Sequence, residues 1–253
     1  MPLAQLHAGS LYCNRQTPIR ILNTQTLVTS FCEATLDLSG CSCYKLIPAT
    51  ARRSPITTML SILIELQRLK NLDRTGWSLR GLPPRTESVA SHSFGVAVTA
   101  MLLADQLRAR GVEIDAERTL RLALLHDWSE ARIGDMPRTA SRYFGLEARK
   151  RAELAAFSDI VKGIGAGAAI YHELYEDYEQ RSSLEARLVK AADVIDLLVQ
   201  VLALERAGAK GLDEFWEVAR QPDFQLEGAA NEIVAEILRE LLTARAQVFA
   251  QCI

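Results

Sequence analysis

The run SSLEARLVKAADVIDLLVQVLALERAG, from Ser182 to Gly208, restricts the fold more than any other stretch, because its 3.6-residue apolar period is kept from end to end. It is a strong helix, although Ser183 is followed three residues later by Ala186 rather than Glu, so no full capping box precedes it. Two acids, Asp193 and Asp196, lie amid its apolar neighbours, where carboxylates are unusual. Other long Leu/Ala/Glu/Arg-rich segments, with few aromatics, favour an all-helical chain over a sheet.

With 253 residues, 49% of them hydrophobic, the chain can bury a sizeable core in one domain or in one domain plus a short appendage. A formal charge of -2 gives no electrostatic footprint for a nucleic-acid polymer or an anionic membrane, although a charged small substrate still needs local positive groups. Five cysteines, Cys13, Cys32, Cys41, Cys43 and Cys252, form neither a disulfide framework nor a CxxC motif. The pair Cys41 and Cys43 is too closely spaced for a zinc knuckle. Neither a secretory signal nor a membrane-spanning stretch is expected, so a reducing cytoplasm is the expected location.

Residues 1–54 carry only Glu33 and Asp37 as acids and no sustained helical period. They read as a poorly ordered N-terminal extension ahead of a domain at 55–253, or as a leader upstream of a later start such as Met59. Pro55 suits the first turn of a helix to about Leu72, with Leu60, Ile64 and Leu69 as apolar positions. Glycines and prolines then make Asp73 to Ser88 a loop that offers Arg74, Arg80 and Arg85 as candidate phosphate donors and Trp77 as a flat surface. A helix from about Glu87 to Arg110 puts Val89, His92, Val96, Ala100, Leu103 and Leu107 on one stripe. Further helices are expected from Asp115 to Ile133, stopping at Gly134, from Ser141 to Ile164, from Tyr171 to Glu179 and from Ala229 to Phe249.

The chemistry centres on RLALLHDWSEARIGDMP, from Arg121 to Pro137. Adjacent His126 and Asp127 offer a divalent metal two kinds of ligand atom, and Glu130 follows on the same expected helical face. A lone inward histidine such as His92 is more often a satisfied core residue, but His126 on the next helix changes that reading. Two imidazoles, Asp127 and an acid from the Lys190–Leu198 region fit one divalent metal with positions left for water and substrate. If Asp193 faces elsewhere, Asp196 is the next candidate.

The motifs LKNLDRTGW at 69–77, RTESVASHS at 85–93, RLALLHDWSEARIGDMPR at 121–138 and YEQRSSLEARLVKAAD at 178–193 occur in the order H…HD…D. In this the chain resembles the HD-domain metal-dependent phosphohydrolases, and among them the 5′-deoxynucleotidase family. The resemblance covers about 58–205 and implies an all-α HD-domain helical bundle that removes phosphate from deoxyribonucleoside 5′-monophosphates. Carried over motif by motif, the metal ligands fall on His92, His126, Asp127 and Asp193. Glu130 matches the catalytic glutamate near the attacking water. Asp135 matches the aspartate by the sugar, Arg74 an arginine on the phosphate and Trp77 an aromatic beside the deoxyribose.

The expected cofactor is one divalent ion. Mixed nitrogen and oxygen ligands suit manganese, cobalt, iron, nickel or zinc. The expected partner is a small nucleotide, with a homodimer left open. Rival readings are another HD activity on nucleotides, a triphosphohydrolase or pyrophosphatase, and a non-catalytic HD module that binds nucleotide. The remaining histidines, His7 and His172, have no acid partner in a motif, which favours one metal over two.

Overall fold

The computed structural model describes residues 55–220 and 222–250, so the expected extension at 1–54 and all five cysteines lie outside the described residues. In chain order the α-helices are α1 (Pro55–Leu66), α2 (Thr75–Ser78), α3 (Val89–Ala109), α4 (Ala116–Leu125), α5 (Glu130–Ile133) and α6 (Ser141–Phe144). They continue with α7 (Leu146–Val161), α8 (Ala168–Gln180), α9 (Leu184–Arg206), α10 (Glu217–Arg220) and α11 (Gly228–Ala250). Short 3-10 turns link several of them, and an isolated antiparallel bridge joins Asp73 to Ser88.

Helix α9 is the axle. It packs on α3, α4, α8 and α11, burying Leu188, Ala191, Ala192, Ile195, Leu198 and Val201. Ser183 is its N-cap and accepts from Ala186 N–H at 3.0 Å, which satisfies one of the donors a helix start leaves open. The α3 stripe is buried as its spacing requires, from Val89 through His92, Val96 and Ala100 to Leu103 and Leu107. Asp115 caps α4 through Arg118 N–H at 2.9 Å.

Three expectations need correction. The helix expected to run from Asp115 to Ile133 stops at Leu125 and restarts at Glu130. His126 Nδ1 lies 2.7 Å from the Ala123 carbonyl, the acceptor a continuing helix would offer to Asp127 N–H. The backbone goes on instead through three-residue bonds, from Trp128 N–H to Leu125, Glu130 N–H to Asp127 and Ala131 N–H to Trp128.

In α1 the expected packing positions Leu60 and Ile64 are 53% and 62% exposed. The buried line runs through Ile62 and Leu69. The α1 segment is apolar on every side, so contact with Val89, Ala131 and Ile160, not period, chooses the inward face.

The third correction concerns the helix expected from Ser141 to Ile164, which forms as α6 and α7, while the glycines after it end α7 as their spacing implies. An 18-residue window in the stretch across α7 and α8 reaches a mean hydropathy of 1.3, sufficient by composition for a membrane crossing. The backbone turns out of helix at Gly165, with φ 73° and ψ -130°, so no continuous helix of about 20 residues is formed. Gly145, at φ 80°, likewise separates α6 from α7 within the helix expected at 141–164.

Candidate metal centre

His92 projects from the first turns of α3 into the seam with α9, and its side chain is fully buried. Its Nε2 lies 3.1 Å from Asp193 Oδ1 and its Nδ1 2.8 Å from Asp196 Oδ2. Burial and the nearby Arg74 oppose its charge, yet the bonds to Asp193 and Asp196 outweigh them and push it up to about 9. A metal would have to displace the Nε2 proton.

His126 reaches the same point from the end of α4. Because Nδ1 faces a carbonyl, that nitrogen carries the proton and Nε2 is left with its lone pair. Nε2 is buried with no hydrogen-bond partner, although Asp127 Oδ2 stands 3.1 Å away, outside hydrogen-bond alignment. An orphaned imidazole nitrogen beside carboxylates is the donor a divalent ion requires. The residues present therefore fit a metal.

Asp193 completes the group from the middle of α9. The ligand atoms of His92, His126 and Asp193 all lie within 4.8 Å of one another. Asp127 borders this triad, with Oδ2 3.9 Å from His92 Nε2. Burial would raise both aspartates. Lys190, which donates to Asp193 at 2.7 Å, and the His92 ring hold Asp193 well below the usual range. His92 and Arg74 do the same for Asp127.

Glu130 lies three residues beyond Asp127 in the tightened turn, where a three-residue repeat brings side chains into line. It is 8% exposed, and its Oε2 is buried without a hydrogen-bond partner. Burial first, then Asp127 and Asp135, pushes its carboxyl up to about 10 against the pull of Arg74 and Arg149. Of two acids close together, one keeps the charge and the other its proton.

Arg74 places Nη1 3.4 Å from Asp127 Oδ2. Burial opposes its charge, but Asp127, Asp135, Asp193 and Glu130 raise it further above its ordinary value. Its backbone is fixed by a bond from Arg74 N–H to the Glu87 carbonyl at 3.0 Å. Asp135 accepts from Thr75 N–H at 2.5 Å and so holds the start of α2.

Trp77 does not offer the open flat surface expected of it. At 2% exposure it packs on Phe215, with ring centroids 4.9 Å apart, and donates its indole N–H to Glu87 Oε2 at 2.8 Å. Arg80, a candidate phosphate donor, is paired with Glu214.

Sequence reasoning named Asp196 only as a substitute ligand and missed the roles of Lys190 and Glu87 around the site. The three-residue steps from Lys190 to Asp193 to Asp196 along one helix were the available signal. Nothing local marks Glu87, whose partner Trp77 lies across the loop.

Two buried imidazoles and two carboxylates converging within an all-helical bundle define a metal-binding class of helical domain. The family model for the HD domain matches residues 66–227, and the chain belongs to that family. It is 30% identical over 179 residues to a 5′-deoxynucleotidase of Schizosaccharomyces pombe, covering 68% of this chain and 86% of that one. It is 32% identical over 154 residues to a human 5′-deoxynucleotidase, covering 58% and 69%. Among solved structures, a conserved hypothetical protein of Pyrococcus furiosus superposes with a TM-score of 0.62 at 38% identity, covering 71% of this chain and 99% of that one.

Proposed function

We propose that the chain is a metal-dependent phosphomonoesterase releasing phosphate from deoxyribonucleoside 5′-monophosphates. The observation that carries this reading is the orphaned His126 Nε2, which meets His92 and Asp193 within 4.8 Å, with Arg74 beside Asp127. The substrate class follows the names of the two deoxynucleotidase relatives.

One divalent ion, of manganese, cobalt, iron, nickel or zinc, would be held by His92, His126, Asp127 and Asp193. When bound it supplies positive charge for a phosphoryl oxygen and lowers the pKa of a water. Arg74 presents a planar fork suited to two phosphate oxygens and exchanges its contact with Asp127 for the substrate. Glu130 holds a proton in a buried place and acts as acid or base, since phosphomonoester cleavage must protonate the leaving alkoxide. Asp135 fixes the Arg74–Trp77 segment through Thr75 and stands by for the sugar.

The test is phosphate release from nucleoside mono-, di- and triphosphates with each of the five metals. Release from deoxynucleoside monophosphates is expected. Cleavage confined to di- or triphosphates would make the chain another HD nucleotide hydrolase. Nucleotide binding without turnover under any metal would make it a binding module.

A further inference from the structure

Asp193 and Asp196 stand three residues apart on α9, on neighbouring positions of one helical face, and they take opposite nitrogens of one ring from α3. Only one of the two nitrogens can serve the metal centre proposed above, on which this inference rests. An imidazole has two tautomers, and the nitrogen facing a fixed acceptor keeps the proton. A carboxylate is that acceptor for Nδ1, at 2.8 Å. With Nδ1 so held, a metal that displaced the Nε2 proton would meet that nitrogen's lone pair on the side where Asp193 and His126 lie.

The opposite helix is shaped around this carboxylate. Gly95 lies three residues beyond His92 on α3, and a Cβ placed there would overlap Asp196 Oδ1 and come 2.6 Å from its Cγ. Real Cβ atoms essentially never approach within 3.0 Å. The carboxylate has little freedom to retreat, because its other oxygen is bonded to His92. Glycine inside a helix is unfavourable relative to alanine, so its occurrence in the middle of α3 calls for a reason, and the seat for Asp196 supplies one.

Glu87, His92 and Asp196 also bring ligand atoms within 4.8 Å of one another. That cluster is satisfied without an ion, since Glu87 accepts the Trp77 indole N–H and Asp196 is bonded to Nδ1.

We propose that Asp196 is a positioning residue that fixes the tautomer and aim of His92, and that Gly95 is the notch that seats it. Asp196 touches neither substrate nor metal; it acts through the ring.

The experiment measures zinc affinity by chelator competition for the full chain and for Asp196→Ala, Asp196→Asn, Gly95→Ala and the Gly95→Ala/Asp196→Ala double variant. In parallel, the His92 Nδ1 proton is followed by nitrogen-edited NMR in the zinc-loaded protein. Asp196→Ala is expected to weaken zinc by about 10–100-fold and to lose the hydrogen-bonded Nδ1 resonance. Asn keeps an acceptor without the charge, so Asp196→Asn should fall between. Gly95→Ala should weaken zinc alone but add nothing once Asp196 is alanine, because the clashing group is gone.

Parent-like affinity in Asp196→Ala, or in Asp196→Asn and Gly95→Ala should the alanine variant not fold, overturns the proposal alone. Fully additive losses in the double variant overturn the notch. A parent chain that binds no zinc, manganese or cobalt overturns the metal centre and this inference together.

Discussion

Asp135 and Thr75 are tied twice, by the Thr75 N–H to the Asp135 carboxylate at 2.5 Å and by the Thr75 hydroxyl to the Asp135 carbonyl at 2.7 Å. These bonds clamp the loop that carries Arg74 to the segment that carries His126, Asp127 and Glu130. The carboxylate does for α2 what an N-cap does, accepting a first-turn N–H that has no partner within the helix.

Asp135→Ala is therefore expected to cost about 1 kcal/mol of unfolding free energy, the usual scale for a lost cap, and to raise KM by loosening Arg74. Asp135→Asn keeps an acceptor and should retain most of that stability. Urea unfolding beside monophosphate kinetics checks both. An alanine variant as stable as the parent would mean that the clamp carries no weight.

Glu130 and Asp127 should separate by assay. Glu130→Ala is expected to lower turnover about a hundredfold or more while metal and nucleotide still bind. Metal at a hundred times its Kd should stabilise the parent and Glu130→Ala by about 2.7 kcal/mol. In Asp127→Ala that gain should vanish. Parent turnover in Glu130→Ala would remove the proton-transfer role.

The metal-free protein should lose stability as pH rises above neutrality. Burial, aided by Asp127 and Asp135, lifts Glu130 from 4.5 to about 10, so the folded state holds this proton more tightly than the unfolded one. Its stabilisation is complete below 4.5 and lost as pH climbs towards 10. His92, raised from 6.5 to about 9 by Asp193 and Asp196 despite burial, has the same sign, with its contribution lost as pH rises through 9. Melting scans of the metal-free chain should give a lower Tm at pH 9 than at pH 7, and Glu130→Gln should flatten the trend. A Tm that climbs over that interval would contradict both shifts.

Trp77→Phe keeps an aromatic against Phe215 but deprives Glu87 of its indole donor. Leaving that buried carboxyl unsatisfied should cost about 1–3 kcal/mol, with KM for monophosphate little changed. A several-fold rise in KM at unchanged stability would return the indole to the substrate side.

The α3 stripe through His92 and the period of α9 were legible because burial follows helical spacing there, and α9 carries the candidate ligand Asp193 within that pattern. The break after Leu125 was not, since it depends on a ring nitrogen bonding a carbonyl three residues back, an event that leaves no trace in hydrophobic period. Leu60 and Ile64 misled because α1 is apolar all round, and only its neighbours choose the inward face. Trp77 was placed beside the sugar by its position in the matching motif, whereas its burial depends on Phe215, far along the chain. Asp196 was visible as a residue but not as a partner, because which nitrogen it meets depends on how α3 and α9 are set side by side.

One imidazole held at both nitrogens by carboxylates from the same neighbouring helix works as a gauge of alignment between α3 and α9. A slip of one helical rise, about 1.5 Å, would stretch at least one of those contacts beyond hydrogen-bond length. Repacking at Ala100 or Leu198, both fully buried in those two helices, can thus leave the core filled yet put the ring out of true. Between α3 and α9, then, a core substitution bears on the site's registration as well as on the bundle's stability.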